Sequence, residues 1–361
     1  MDSSETKMIG ASILNAKGEV EFIPICRKDA IESMLDVKEL VSGNYRGIKV
    51  LKVDQSRRLY NLIWAPLAPY LQKNVYYSST GILNFINLGI LESPEGKSVF
   101  ESYDLLMISS AASLAPTDRV DFKSNKKGLL VGGVDYDPKS EDRGNTYAPY
   151  WPYLSGSSME IDQIKLMYDN SFQLEVLEGE GAKEELLKEK LDGKDAPRFL
   201  HIATHGHYEK ADRGINLLKF DANSMFNSCL VLSGANNLGS DFLTYEQSDD
   251  GILTAAELSN LNLQGTELVV LSSCNSGMGD ISSFEGMFGL ARALKLAGVK
   301  YVIMTLSPIP DDIQMIEFVR VFYKNYLDKD RKVPEAFRRA QSAMVKLYGK
   351  NNDLTNFILY K

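Results

Sequence analysis

Histidine is nearly missing from this chain. There are three among 361 residues, His201, His205 and His207, all within one short window. Chemistry that needs an imidazole base must be built there. Cysteine is as scarce: Cys26, Cys229 and Cys274 are too few for a disulfide framework, so a reducing, cytoplasmic setting is expected. No uninterrupted apolar run is long enough to span a bilayer, and Met1 to Lys7 are polar rather than signal-like. No membrane association is therefore expected. Basic residues are not in surplus either, with 40 Lys and Arg against 48 Asp and Glu, a net charge of -8. Direct binding of nucleic acid is not expected from that balance. Gly132-Gly133 does not continue into a GxGxxG phosphate cradle. Repeats and low-complexity tracts are also missing.

What is present is an ordinary globular composition, 44% hydrophobic and 24% charged. The chain starts as a hairpin, with Ile9 to Leu14 and Val20 to Ile25 joined through Asn15-Ala16-Lys17-Gly18. Helices are predicted over Asp29–Val41 and Arg57–Leu71, the second disturbed by Pro66 and Pro69. Strands are predicted at Val75–Ser78, Ile82–Ile86 and Tyr103–Ser109. The polar, basic stretch Lys123 to Gly128 is the best boundary. It divides the chain into an N-terminal α/β subdomain, 1–124, and a larger domain, 125–361.

Beyond the boundary, strands alternate with helices. Strands are expected at Leu129–Asp135, Phe172–Leu177, from Arg198 through the histidines, at Cys229–Leu232, Leu268–Leu271, Tyr301–Leu306 and, as an edge strand, Phe357–Tyr360. Helices are expected at Ser158–Tyr168, Ala182–Leu191, Glu285–Ala297, Asp312–Tyr326 and Pro334–Leu347, with Thr254 and Glu257 forming a capping box. Glu184, Glu185, Lys188 and Glu189 read as a solvated helix face, and Ser140 to Tyr153 as a loop. The alternation predicts an α/β fold: a mostly parallel sheet flanked by helices.

Such sheets present chemistry at the carboxyl ends of neighbouring strands. Two strand-length apolar runs here end in reactive residues, Phe199-Leu200-His201-Ile202-Ala203-Thr204-His205-Gly206-His207 and Leu268-Val269-Val270-Leu271-Ser272-Ser273-Cys274-Asn275-Ser276-Gly277. A free thiol is mostly protonated at neutral pH, because its ordinary pKa is about 8.5. A neighbouring histidine that takes the proton makes it a nucleophile, and can return the proton to a leaving amine. Small residues after Cys274 leave the thiol accessible. The N–H groups of Gly206 and Cys274 are candidates for an oxyanion hole. His201, between Leu200 and Ile202, reads as a structural residue, and Cys26 as a buried apolar one. His205 and His207 share a face if the strand continues, which leaves a metal reading open. Glu209 and Asp212 are the nearby candidate ligands, in a spacing that matches no HExxH or HxHxD pattern, so no metal is assigned.

These phrases, with Asp250-Gly251-Ile252-Leu253-Thr254-Ala255-Ala256-Glu257-Leu258 and Glu285-Gly286 leading into Gly289-Leu290-Ala291-Arg292-Ala293, resemble those of CHAT-domain proteins. Those are caspase-like cysteine peptidases of clan CD, related to caspases, metacaspases and separase. The resemblance covers most of the chain from Leu129 to Tyr360. It implies a caspase-like endopeptidase without a cofactor, in which His205 is the base, Cys274 the nucleophile, and Gly206 and Cys274 the oxyanion donors. It also implies a protein or peptide substrate, a role in bacterial defence or programmed cell death, and a pseudo-protease-like role for residues 1–124.

Two departures bear on specificity. Ser307-Pro308 stands where relatives often carry tryptophan, although Asp311-Asp312 is retained at the next helix. The candidate pocket residues Asp135, Ser272, Asp311 and Asp312 supply no positive charge, so strict cleavage after Asp is not expected, and Asp135 would favour a basic residue there. About ten residues separate Cys274 from the helix at Glu285, too few for an activating self-cleavage linker. Activation by a partner protein or sensor module is expected instead. No tetratricopeptide repeats are visible, so such a module is expected elsewhere.

Overall fold

The computed structural model describes residues 7–35, 53–114, 120–137, 150–167, 172–191, 196–208, 225, 228–237, 249–272, 282–306, 313–350 and 357–361. The predicted hairpin is present as β1 (Met8–Leu14) and β2 (Val20–Arg27), paired antiparallel. Asn15 turns the chain by accepting the N–H groups of Lys17 and Glu19 on its side-chain oxygen, and Gly18 takes φ +84°, a conformation open to glycine. Helix α1 (Lys28–Glu32) follows; the predicted span beyond Leu35 lies outside the described residues. Helix α2 (Val53–Leu59) widens into a π-turn over Tyr60–Trp64. There the Ala65 N–H donates to the Tyr60 carbonyl, immediately before Pro66, whose ring would collide with the fourth carbonyl back in a regular helix.

Strands β3 (Asn74–Tyr77) and β4 (Asp104–Met107) flank a short capped helix, α3 (Val99–Ser102). The segment Ile82–Ile86, expected as a strand, is instead a 3₁₀ turn over Gly81–Phe85. The Ser79 hydroxyl donates to Asn84 Oδ1 at 2.7 Å, folding the segment on itself. Its Ile82, Leu83 and Ile86 pack on the small N-terminal core of Ile31, Leu59, Ile63 and Trp64 without a partner strand. An apolar run specifies burial, and a tight turn satisfies that as well as a strand does.

The remaining elements are β5 (Lys127–Val134), α4 (Ser155–Leu166), β6 (Gln173–Gly179), α5 (Glu184–Leu191), β7 (Phe199–Ile202), β8 (Gly206–Tyr208), β9 (Ser228–Val231), β10 (Ile252–Thr254), α6 (Ala255–Ser259), β11 (Leu268–Leu271), α7 (Ser282–Leu296), β12 (Tyr301–Thr305), α8 (Ile313–Tyr323), α9 (Val333–Tyr348) and β13 (Phe357–Tyr360). The strand expected from Arg198 through the histidines is broken after Ile202, and its second part, β8, belongs to another sheet. The helix expected to run through Tyr326 ends its α-helical part at Tyr323 and continues as a π-turn over Lys324–Asp328. Strands β8 to β10 form a small antiparallel sheet. Eight others form the main sheet in the order β3-β4-β13-β12-β11-β7-β5-β6, on which helices lie on both faces. Helices α4, α8 and α9 bury Ile161, Ile164, Phe318, Phe322 and Phe337 on one face. Helices α5, α6 and α7 bury Leu187, Leu258, Leu290 and Leu294 on the other.

Strand β13 corrects the expectation of an edge strand. All four of its residues are buried, and it sits inside the sheet, antiparallel to β12 and parallel to β4. A continuous Phe-Ile-Leu-Tyr run is what a strand covered on both faces requires. The sheet therefore has two halves running in opposite directions. β12, β11, β7, β5 and β6 are mutually parallel and end at one rim, while β3, β4 and β13 end at the other.

Glu184, expected on a solvated face, is buried. It accepts the N–H of Gly251 at 3.0 Å and meets Lys188 Nζ at 2.5 Å, and Lys188 also bridges to Glu257 at 2.9 Å. Glu257 closes the predicted capping box with Thr254. Gly251 is held at φ +89°, where a Cβ would lie 2.8 Å from the Ser233 carbonyl. The Asp250–Leu258 motif is thus a joint between α5, β10 and α6. Burial pushes the Glu184 carboxyl up to about 7, against the opposing pull of Lys188 and the Gly251 N–H. A raised carboxyl favours the folded state while it is protonated. Its contribution is therefore full below pH 4.5 and is lost as pH rises to about 7. Glu184→Gln keeps an acceptor for Gly251 and cannot ionise. The stability difference between wild type and variant should move by about 2–3 kcal/mol in the variant's favour across that window. Urea unfolding at several pH values measures it, and a difference that stays flat refutes the assignment.

Candidate active site

Strands β5, β7 and β11 are neighbours in the parallel half of the sheet, with Leu271 beside Ile202 and Val131 beside Ile202 in register. Their carboxyl ends therefore deliver Asp135, His205 and Ser272 to one rim. The Ser272 N–H still donates to the Ile202 carbonyl at 2.8 Å, and the Ala203 N–H to that of Val131 at 2.8 Å. Both strand exits are held by backbone bonds up to the residues that matter. Cys274, Asp311 and Asp312 lie outside the described residues.

His205 is 1% exposed. Its imidazole lies between two aromatic rings, Tyr136 at 5.0 Å and Trp151 at 5.4 Å between centroids. His205 Nε2 is 2.7 Å from the Pro152 carbonyl oxygen. A carbonyl can only accept, so Nε2 carries the proton and, in the neutral ring, Nδ1 carries the lone pair. The ring is thus fixed in one tautomer by a backbone group, with the basic nitrogen on the opposite edge. The Tyr136 hydroxyl steadies the same segment. It bonds Thr204 Oγ1 at 2.8 Å and accepts from the His205 N–H at 3.4 Å, while the Thr204 hydroxyl donates to the Val231 carbonyl.

Gly206 begins β8. The Val231 N–H donates to the His205 carbonyl at 2.9 Å, so His205 and Val231 form a hydrogen-bonded pair of the antiparallel ladder. Such pairs alternate, which makes Gly206 and Leu230 the non-bonded pair and directs the Gly206 N–H away from β9. The Gly206 N–H is therefore not used by the β8–β9 ladder.

The pocket candidates are placed as follows. Asp135 follows β5 half-buried, with Oδ1 accepting the Asp137 N–H at 3.0 Å. Ser272 is buried, and its hydroxyl turns inward to donate to Glu160 Oε1 at 3.0 Å. Glu160 Oε2 in turn meets His201 Nε2 at 3.1 Å, and His201 Nδ1 meets the Tyr323 hydroxyl at 3.1 Å. His201 is thus a buried structural residue in a hydrogen-bonded chain running beneath the rim. His207 packs its ring edge-on to Trp151 at 5.3 Å, so His205 and His207 both meet that indole. Among the described residues no three His, Cys, Asp or Glu side chains gather as a metal site would require. Cys26 and Cys229 are buried, and burial, then Asp29, pushes the Cys26 thiol up. Neither provides an accessible thiolate.

Sequence reasoning missed Tyr136, Trp151, Pro152, Glu160 and Asn236. A backbone carbonyl leaves no mark on residue identity. The signal available was a Trp-Pro pair, rare in a chain with two tryptophans and 12 prolines, inside a stretch read only as a loop.

A family model described as the CHAT domain matches residues 53–355. The chain is also 23% identical over 319 residues to tetratricopeptide repeat protein 28 of Mus musculus. That match covers 80% of this chain and 12% of the mouse protein, so the chain spans only a small part of that relative's length. No helix among the described residues is long and apolar enough to cross a membrane.

Proposed function

The chain belongs to the CHAT-domain family, within the caspase-like peptidase clan, and from that premise we propose that it is a cysteine endopeptidase acting through His205 and Cys274. The observation that carries the reading is the hydrogen bond from His205 Nε2 to the Pro152 carbonyl. It fixes the tautomer of a buried imidazole so that Nδ1 carries the lone pair a base requires. In this reading Nδ1 takes the Cys274 proton and the thiolate adds to the scissile carbonyl carbon. The N–H groups of Gly206 and Cys274 hold the oxyanion. The imidazolium then protonates the departing amine, and water hydrolyses the thioester by the same route in reverse.

The substrate is a protein or peptide, and the enzyme works in a reducing cytoplasm under the control of an activating partner, in defence or programmed-death signalling. Residues 1–124 serve as an inactive supporting subdomain. Strict cleavage after Asp is not expected, because the described rim residues Asp135 and Ser272 offer no cation. Incubating wild type and Cys274→Ala with candidate partner proteins tests the reading, with fragments followed by mass spectrometry. Cleavage by the wild type alone is the expected result. Cleavage by both proteins removes the dyad from the mechanism. Cleavage by neither, across activators as well as substrates, favours a silent scaffold that binds a partner through the same fold.

A further inference from the structure

The imidazole of His205 is held between two walls that come from distant parts of the chain. Tyr136 follows β5, and Trp151 lies on the strap of residues 150–154 that crosses the rim. The strap has no regular secondary structure, yet it must present the Pro152 carbonyl to Nε2 within a hydrogen bond's tolerance. A backbone segment without a ladder partner keeps its register only if something else satisfies its polar groups.

Asn236 does so. It lies in the 3₁₀ turn Ala235–Asn237 after β9. Its side-chain oxygen accepts the Trp151 N–H at 2.8 Å, and its side-chain nitrogen donates to the Trp151 carbonyl at 2.9 Å. One amide therefore pairs with both backbone groups of a single residue, as a neighbouring strand would. The Asn236 backbone N–H donates to the Tyr136 carbonyl at 3.1 Å. The same residue is thus bonded to the residues that supply both aromatic walls, and the strap residue it grips immediately precedes Pro152.

The geometry points to Asn236 as a positioning residue for the base: it sets the strap so that the Pro152 carbonyl fixes the His205 tautomer and the two rings hold the imidazole plane. It touches neither substrate nor the reacting atoms and acts through His205. The inference rests on the dyad reading above. It deepens that reading by giving the base a side-chain support three elements away. Glutamine would overreach the strap, and aspartate keeps the acceptor for the Trp151 N–H while setting a carboxylate oxygen against the Trp151 carbonyl.

The test needs no knowledge of the substrate. Alkylation of Cys274 by iodoacetamide is followed from about pH 5.5 to 10, where the fraction of thiolate sets the rate. The full chain is used as wild type, Asn236→Ala, His205→Ala and the double variant, with peptide mapping to separate Cys274 from Cys26 and Cys229. The expected result is that Asn236→Ala slows alkylation by at least about tenfold near pH 6.5 and leaves the rate near pH 10 unchanged. The double variant should be no slower than His205→Ala alone, because residues that act as a unit are not additive. A profile for Asn236→Ala that overlays the wild type overturns the assignment. So does an equal loss in the His205→Ala background, which marks a general structural role. Coincident profiles for wild type and His205→Ala mean that the imidazole does not activate the thiol, and the dyad then fails together with its support. Where Asn236→Ala does not fold, as judged by circular dichroism, Asn236→Asp replaces it. An intermediate loss near pH 6.5 is expected for it, and wild-type behaviour overturns the assignment.

Discussion

Alanine at position 205 should lower kcat/KM on a cleavable protein by about 10³-fold, within the range a lost general base costs. It should leave substrate binding close to that of the wild type. His205 Nε2 is committed to a carbonyl, so in the neutral ring the lone pair that would take a proton is on Nδ1. His201 is committed on both nitrogens, to Glu160 and Tyr323, and so cannot substitute for it. Active-site titration together with steady-state kinetics on the purified partner checks the expectation. A loss smaller than tenfold would place the base elsewhere. A rise in KM at constant kcat would make the ring part of the binding surface.

The second large effect lies at the opposite end of the same strands. Arg198 is 4% exposed and precedes β7. Its Nε donates to Glu267 Oε2 at 2.9 Å, and the Tyr326 hydroxyl donates to the same oxygen at 3.0 Å. The guanidinium stacks over the rings of Tyr326, at 5.3 Å, and Phe172, at 5.9 Å. Arg198→Ala leaves the Glu267 carboxylate under a helix without its cation and opens a space between two rings. Removing one partner of a buried pair typically costs about 3–5 kcal/mol, because the other charge is left uncompensated. Chemical denaturation should show a loss near the lower figure, since Glu267 keeps Tyr326. Arg198→Met with Glu267→Gln removes both charges and should recover much of it. A single variant within about 1 kcal/mol of wild type would reduce the pair to surface worth. His205 follows the other end of β7, so under the proposed function activity per folded molecule should not change.

These two ends differ in how far residue identity discloses them. Scarcity confined any imidazole base to the segment His201 to His207, and the choice of His205 within it came from the resemblance to CHAT-domain proteins. The alternation of strands and helices follows from burial periodicity, and β5, β6, β7, β11 and β12 obey it in one parallel array, whereas β8 to β10 form a separate antiparallel sheet. What could not be read is whatever depends on the backbone or on a distant partner. The Pro152 carbonyl has no residue signature. Glu184 sits on a helix whose charge pattern points outward, and the Gly251 N–H that draws it inward is far away in sequence. Ile82 to Ile86 obeys the rule that apolar residues are buried but not the guess about which local shape buries them. Asn236 looked like any turn residue, because its role is defined by the strap it grips. The register of β7 against β11 brings the chain to Ser272, two residues before Cys274.

The antiparallel β13 has a consequence for the order of assembly. Strands β3 and β4 precede the parallel half in the chain, yet they join its hydrogen-bond ladder through residues 357–360, which follow both. The backbone ladder cannot run from one half to the other until that strand has been made. During synthesis the rim that carries His205 is therefore one side of an unfinished sheet, with the edge of β12 uncovered. Completion of the sheet is timed by β13 rather than by β3.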